Sequence, residues 1–433
     1  MNPGVSGWLK RFVTHKAKAF LEAPDASYTR SQLELDFSSY EYLYHIIQPT
    51  GLMYGYPIRF IEAPHPKASE WTEKDKVKVL LAESYISSGL YFRYDENQDM
   101  AVTVQQVLED IRNYYAENYH LYSENRNSLF GRKRETISQI EYILDQRISI
   151  KYDWRNFWTS FFHNSFLFFD LINFVQWMET QGDPPLPESE QQNIKIQRQN
   201  LRLLILQVIA AAAHADEGVK REARELFNYF LQSANLPAHK KKQAESAFNK
   251  GINLETLNLS EVKSWAMKKY FLELAILTTW ANRHISDSEK AFLSNLANQL
   301  KLTPEELTHS MSAVENFVFE YWDQVHYLQI KQNYRIVSER LIQRMGQTAR
   351  KNQKRISLEI AESRELVMLL RKGTTQTLTA EEKEKVREQL LDILRAIPAF
   401  TFLLLPGAFI TLPILFRIIP KNILYPSSFR DEE

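Results

Sequence analysis

His163 and Asp170 are the first two residues whose types and spacing could hold an ion. On one helix, seven residues place them about 10.5 Å apart along a single face. That is too far to chelate one cation without further ligands. The other polar residues of the aromatic stretch 157–178, Asn164, Asn173 and Gln176, recur on the same side, as in an amphipathic core helix. The stretch therefore reads as a core helix, with a membrane-contacting element and a small ligand site at His163 and Asp170 as the alternatives. Covalent chemistry has little to draw on. The chain has no cysteine, which excludes thiolate zinc sites, cysteine nucleophiles and disulfides. Its ten histidines and twelve glycines form no HExxH, GxSxG, GxGxxG or GxxxxGK[ST] pattern. No carboxylate pair stands out from a charged surface, and a non-enzymatic role is expected.

Phosphate contact is better provided for. Between 331 and 355 lie Lys331, Arg335, Arg340, Arg344, Arg350, Lys351, Lys354 and Arg355, opposed by Glu339 alone. A solvated helix face is the plain reading of this run. Anionic lipid headgroups and RNA are the functional ones, and either would add a salt-dependent term. Aromatic residues for base stacking are not interleaved with the cations. An apolar segment follows about forty residues later, which favours lipid.

That segment, 396–416, is an uncharged run of twenty-one residues bracketed by Arg395 and Arg417. As one helix it would reach roughly 31 Å, close to the hydrocarbon thickness of a bilayer. Pro398, Pro406 and Pro413 lie within it and Pro420 follows. Each removes a backbone donor and tends to kink a helix, and in lipid the freed carbonyls must find local partners. Their spacings of eight, seven and seven residues are about two helical turns, so the kinks fall near one face. The run predicts a membrane segment, either one bent helix or a re-entrant hairpin turning at Pro406 and Gly407. A buried core helix is the alternative.

The elements that would position these groups are helical. The 433 residues carry no net charge, so any attraction to nucleic acid or lipid must be local. Residues 8–22 read as a short basic amphipathic helix, lying on a membrane or packed on the next domain. Helical patterns follow near 73–89, 101–118 and 133–147. Residues 181–190, with Gly182, Pro184, Pro185 and Pro187, have linker composition. Beyond them an internal repeat pairs 201–237 with 270–307; each copy is an apolar helix, a polar turn and an amphipathic helix ending before a proline. The expected division is an N-terminal aromatic-rich helical domain (1–180), a linker (181–190), a helical repeat domain (191–325), a basic connector (326–360) and a membrane-anchoring region (361–433).

The repeat resembles the tellurite-resistance TerB-like helical domains, whose signature is Ala-Asp-Gly followed by an aliphatic residue and a Glu. The first copy supplies Ala215, Asp216, Val219 and Glu222, with the glycine displaced to Gly218; the second has Asn282 in place of the Asp, then Ile285 and Glu289. The resemblance implies a divalent cation at Asp216 and Glu222, and carboxylates on a turn suit a hard ion. Helix capping is the other role open to them.

From Ser363 onward the chain resembles the leucine-zipper, EF-hand-containing transmembrane family, the LETM family of the mitochondrial inner membrane. Leu378, Thr379 and Glu382, then Asp392, Arg395, Pro398, Pro406, Pro413, Arg417, Pro420 and the run Pro426 to Phe429 carry the match, over about 70 residues. Thr379 with Glu382 is a capping box, Asp392 and Arg395 can pair on neighbouring turns, and Arg417 can snorkel to an interface. Where the family carries an acidic residue between the second and third prolines, this chain has Phe409. The family's soluble ribosome-binding-like domain and EF-hand have no counterpart in these residues. Together the two resemblances are like those of bacterial LETM-related, biofilm-associated proteins. They imply an all-α scaffold or cation sensor on the cytoplasmic side of the cytoplasmic membrane, touching lipids and able to form homo-oligomers or take a protein partner through its helical domains. A part in cation/proton exchange, or in ribosome or RNA association, is the alternative.

Overall fold

The structure is a computed structural model that describes residues 1–22, 27–55, 59–62, 65–118, 136–148, 166–180, 188–216, 218–219, 221–280, 285–321, 342, 345–376, 378–397, 400, 412–419 and 424. Among these the elements are helices, with no strand. The chain divides into two compact units, Met1–Thr303 and Pro304–Glu433.

In the first unit, α1 (Trp8–Glu22) packs on α5 (Met100–Asn118) and α6 (Thr136–Arg147). Its Trp8, Leu9 and Phe12 are buried, so the apolar face of this basic helix is taken up by the unit itself. The entry to α1 is fixed from a distance, because the Glu141 carboxylate accepts from the backbone N–H of Gly7 (2.9 Å) and Leu9 (2.8 Å). Two orphan donors at a helix start are thereby satisfied. Between α1 and α5 lie α2 (Tyr28–Leu33), α3 (Ser39–Ile47) and α4 (Glu73–Arg93), opened by the side chains of Ser27, Ser38 and Thr72 respectively. Gly51 and Gly55, both at positive φ, let the chain fold into two successive 3-10 turns after α3.

The aromatic stretch supplies α7 (Leu167–Glu179), whose Phe168, Phe169, Leu171 and Phe174 are fully buried. Asp170, with no exposed surface, sits between Arg147 and Arg202 (Arg202 Nη2 to Oδ1, 3.1 Å). Its charge is matched by the protein's own arginines, and His163 lies outside the described residues. The repeat region follows as α8 (Glu188–Ala213), α9 (Arg221–Ser233), α10 (Ala238–Lys250), α11 (Trp265–Trp280) and α12 (Asp287–Gln299). Helix α8 packs on α10 and α11, and α11 packs on α3. The Tyr44 and Tyr54 hydroxyls donate to buried Glu273, Tyr229 donates to the Gly55 carbonyl, and the Phe168 and Tyr270 rings meet edge-on at 5.3 Å. These contacts place 1–180 and 191–303 in one unit. The compact unit Met1–Thr303 includes the chain on both sides of 181–190.

The second unit begins with α13 (Pro304–Tyr321), so the break at Thr303 falls inside the expected 191–325 domain. A helical turn at 345–351 leads through Asn352 into α14 (Gln353–Glu362), α15 (Arg364–Thr375) and α16 (Ala380–Arg395). Thr379 and Glu382 form the expected capping box at the start of α16. Lys372–Glu382 (2.6 Å) and Lys385–Glu365 (3.0 Å) tie α15 to α16 and hold both carboxyls below the usual carboxylate range. Ile356, Ile360, Leu366, Leu370, Val386 and Leu390 build the core between these helices.

Helix α17 (Leu412–Ile418) packs on α16, and Leu415, Ile418 and Ile419 have no exposed surface. A Cβ at Gly346 would lie 3.6 Å from the Ile418 carbonyl, so backbone meets backbone there. Burial of each such side chain stabilises by about 1.5–3 kcal/mol without any lipid. No helix of the described residues is long and apolar enough to cross a membrane. At the described ends of 396–416, α16 stops at Arg395, Ala396 and Ile397 lie beyond it, and Leu412–Ile418 are helical as α17. Residues 401–411, with Pro406, lie outside the described residues, as do Pro398 and Pro420.

Candidate functional site

The first candidate is the end of α8. Its alanine-rich C-terminal turns bury Ala210, Ala212 and Ala213 against α10 and α11, and the chain leaves the helix at His214, Ala215 and Asp216. Asp216 lies beside the start of α12, where the Ser288 hydroxyl donates to its Oδ1 at 3.4 Å. Glu222 is the second residue of α9, with its side chain outside the described residues, as is Asn282. In the second copy the corresponding acid has a defined role. Glu289 is buried and completes a capping box with Ser286, accepting from the Ser286 N–H at 2.7 Å. That is helix capping. Among the described residues no three His, Asp or Glu side chains converge as metal ligands.

Beside this turn lies a cavity of about 560 Å³ between the end of α8, the segment after α10 and one face of α12. His214 is on its wall. The His214 Nε2 lies 2.7 Å from the Phe248 carbonyl. A carbonyl only accepts, so Nε2 carries the proton and Nδ1 of the neutral ring is left as an acceptor. Gly251 ends α10 at φ 79 and ψ 154, a conformation open essentially to glycine alone. A Cβ there would sit 3.4 Å from Nδ1. Glycine thus serves the backbone and keeps the ring nitrogen uncovered. Glu255 stands on the same wall with Asn295, whose Nδ2 donates to Oε1 at 2.9 Å.

The second candidate is the cationic edge of the C-terminal unit. Arg350, Lys351, Lys354 and Arg355 are all exposed and make no ion pair among the described residues. Arg355 reaches only a carbonyl, that of Ala396, at 3.2 Å. Lys354 and Arg355 occupy the first turn of α14, where no acid stands. Cations there oppose the helix dipole by about 0.3–1 kcal/mol each. Leu358, one turn beyond Lys354, is 60% exposed, while Ile356 and Ile360 turn inward to the core. Arg340 and Arg344 lie outside the described residues. Of the expected anchor set, Asp392 and Arg417 are exposed, and Arg395 and Pro413 lie in described helices with their side chains outside the described residues.

No family model, curated protein or solved structure matches this chain. Its site residues therefore rest on their own geometry. Sequence reasoning passed over His214 and Gly251. A glycine after the helical pattern of 238–250 signals a C-cap, but nothing local in the sequence brings it to a histidine 37 positions earlier.

Proposed function

We propose that the chain is a non-enzymatic helical scaffold tethered to an anionic membrane surface through its C-terminal unit. The carrying observation is the cluster of Arg350, Lys351, Lys354 and Arg355, without an ion pair among the described residues and retained in part at a helix start where cations are locally unfavourable. Other cations of this unit do find acids, as Lys372 with Glu382 and Lys385 with Glu365. Cations near an anionic leaflet contribute about 1 kcal/mol each. The exposed Leu358 and Met368 add apolar surface to the same unit. The likeness of 363–429 to the LETM membrane-entry region supports a membrane setting and implies a bacterial envelope role on the cytoplasmic side. With Leu415, Ile418 and Ile419 packed inward, peripheral docking fits better than a spanning helix. Cation sensing at Asp216 and Glu222 belongs to the same reading through the TerB-like resemblance.

The full chain, sedimented with phosphatidylserine-containing and with pure phosphatidylcholine vesicles over a salt series, tests this reading. Binding confined to the anionic vesicles and weakened by salt is expected. Equal recovery on both overturns it. Stronger, salt-sensitive binding to single-stranded RNA than to either vesicle would assign the cations to nucleic acid instead.

A further inference from the structure

The cavity at the end of α8 is a built acceptor site, and the geometry points to a ligand with a guanidinium or ammonium head on an aliphatic stem. Three features converge on that chemistry. His214 presents Nδ1 as an acceptor, because Nε2 is committed to the Phe248 carbonyl at 2.7 Å and Gly251 leaves the ring face uncovered. Among the described residues Glu255 is the one charged residue in the lining; Asn295 donates to its Oε1 at 2.9 Å, and Oε2 has no hydrogen-bond partner among them. The rest of the wall includes the aliphatic Ala211 and Leu254 and the half-buried ring of Phe292. A cationic head would donate to Glu255 and His214, its stem would cover alanine and leucine, and Phe292 offers the aromatic surface on which such heads are held. Among the described residues no lysine or arginine lines the cavity to repel it. A volume of about 560 Å³ falls in the range of small-molecule pockets and accommodates a side chain with its flanking peptide.

The site lies wholly in the first unit and does not depend on membrane tethering, so its test can fail while vesicle binding succeeds. The full chain is titrated with n-butylguanidinium and with a capped Gly-Arg-Gly peptide, following the ring-nitrogen shifts of His214 by NMR. Both probes carry the same head, and tighter binding of the peptide would identify a protein side chain as the source. Comparable binding would identify a free organic cation. The expected result is a saturable shift of His214 Nδ1 with millimolar affinity. Glu255→Gln keeps the shape and the Asn295 contact; removing its charge should weaken binding by about tenfold or more. Phe292→Leu, a second variant at the half-buried edge, should weaken binding with the urea midpoint little changed. The absence of any saturable shift, or equal affinity in Glu255→Gln, overturns the assignment.

Discussion

Tyr44 donates its hydroxyl to Glu273 Oε1 at 2.5 Å, joining residues 229 positions apart. Tyr54 donates to the other oxygen at 2.6 Å, and Lys269 Nζ stands 3.8 Å away. Glu273 has no exposed surface, and burial of the Tyr44 hydroxyl, with the Glu273 charge beside it, pushes that hydroxyl well above its ordinary pKa. The carboxylate is thus a polar bolt between α3, the 3-10 turn at Tyr54 and α11.

Glu273→Leu removes the acceptor of both hydroxyls and strands buried polar groups, which costs about 3–5 kcal/mol. A urea denaturation midpoint shifted by that amount is expected. A loss below about 1 kcal/mol would show that the bolt contributes little.

The helices were legible in sequence where local chemistry decides them. Thr379 and Glu382 announced the start of α16, and the described part of 157–178 is the buried helix α7, with Asp170 and Asn173 turned inward instead of forming a solvent face. The unit boundaries were not legible. Gly182 and the prolines after it resemble a linker, yet Asp170 pairs with Arg202 and Tyr44 with Glu273 across it. Pairing over such separations leaves no local signature. The uncharged run has a related limit: nothing in the run itself tells whether Leu415 finds lipid or the α16 face.

Glu141 holds the start of α1 through two backbone N–H groups. Glu141→Ala should cost about 1–2 kcal/mol, as loss of a helix cap does, and concentrate the change locally. Hydrogen exchange is the measurement: amides of 9–12 should lose protection while those of α11 keep theirs. Uniform loss across the unit would contradict a local anchoring role.

Glu83 is fully buried and accepts from Lys16 (2.6 Å) and from the Ile61 N–H (2.8 Å). Burial raises its pKa above the ordinary 4.5, and Lys16 opposes that only in part. Because the folded value lies above the unfolded one, the contribution of Glu83 is fully present below the unfolded value and is lost as pH rises through the folded one. The stability of the wild type relative to Glu83→Gln should therefore be greater at about pH 4 than at about pH 7, measured by paired urea titrations. The opposite trend would mean that Lys16 and the backbone donors outweigh desolvation.

Surface tethering stands on four side chains, and neutralising them tests it most directly. The full-length variant with Arg350→Gln, Lys351→Gln, Lys354→Gln and Arg355→Gln is exposed at each change and should fold as the wild type does. Sedimentation with anionic vesicles is the measurement. At about 1 kcal/mol per cation, the variant should bind on the order of a hundredfold to a thousandfold more weakly and lose most of its salt dependence. Undiminished binding by the variant would contradict tethering through this edge.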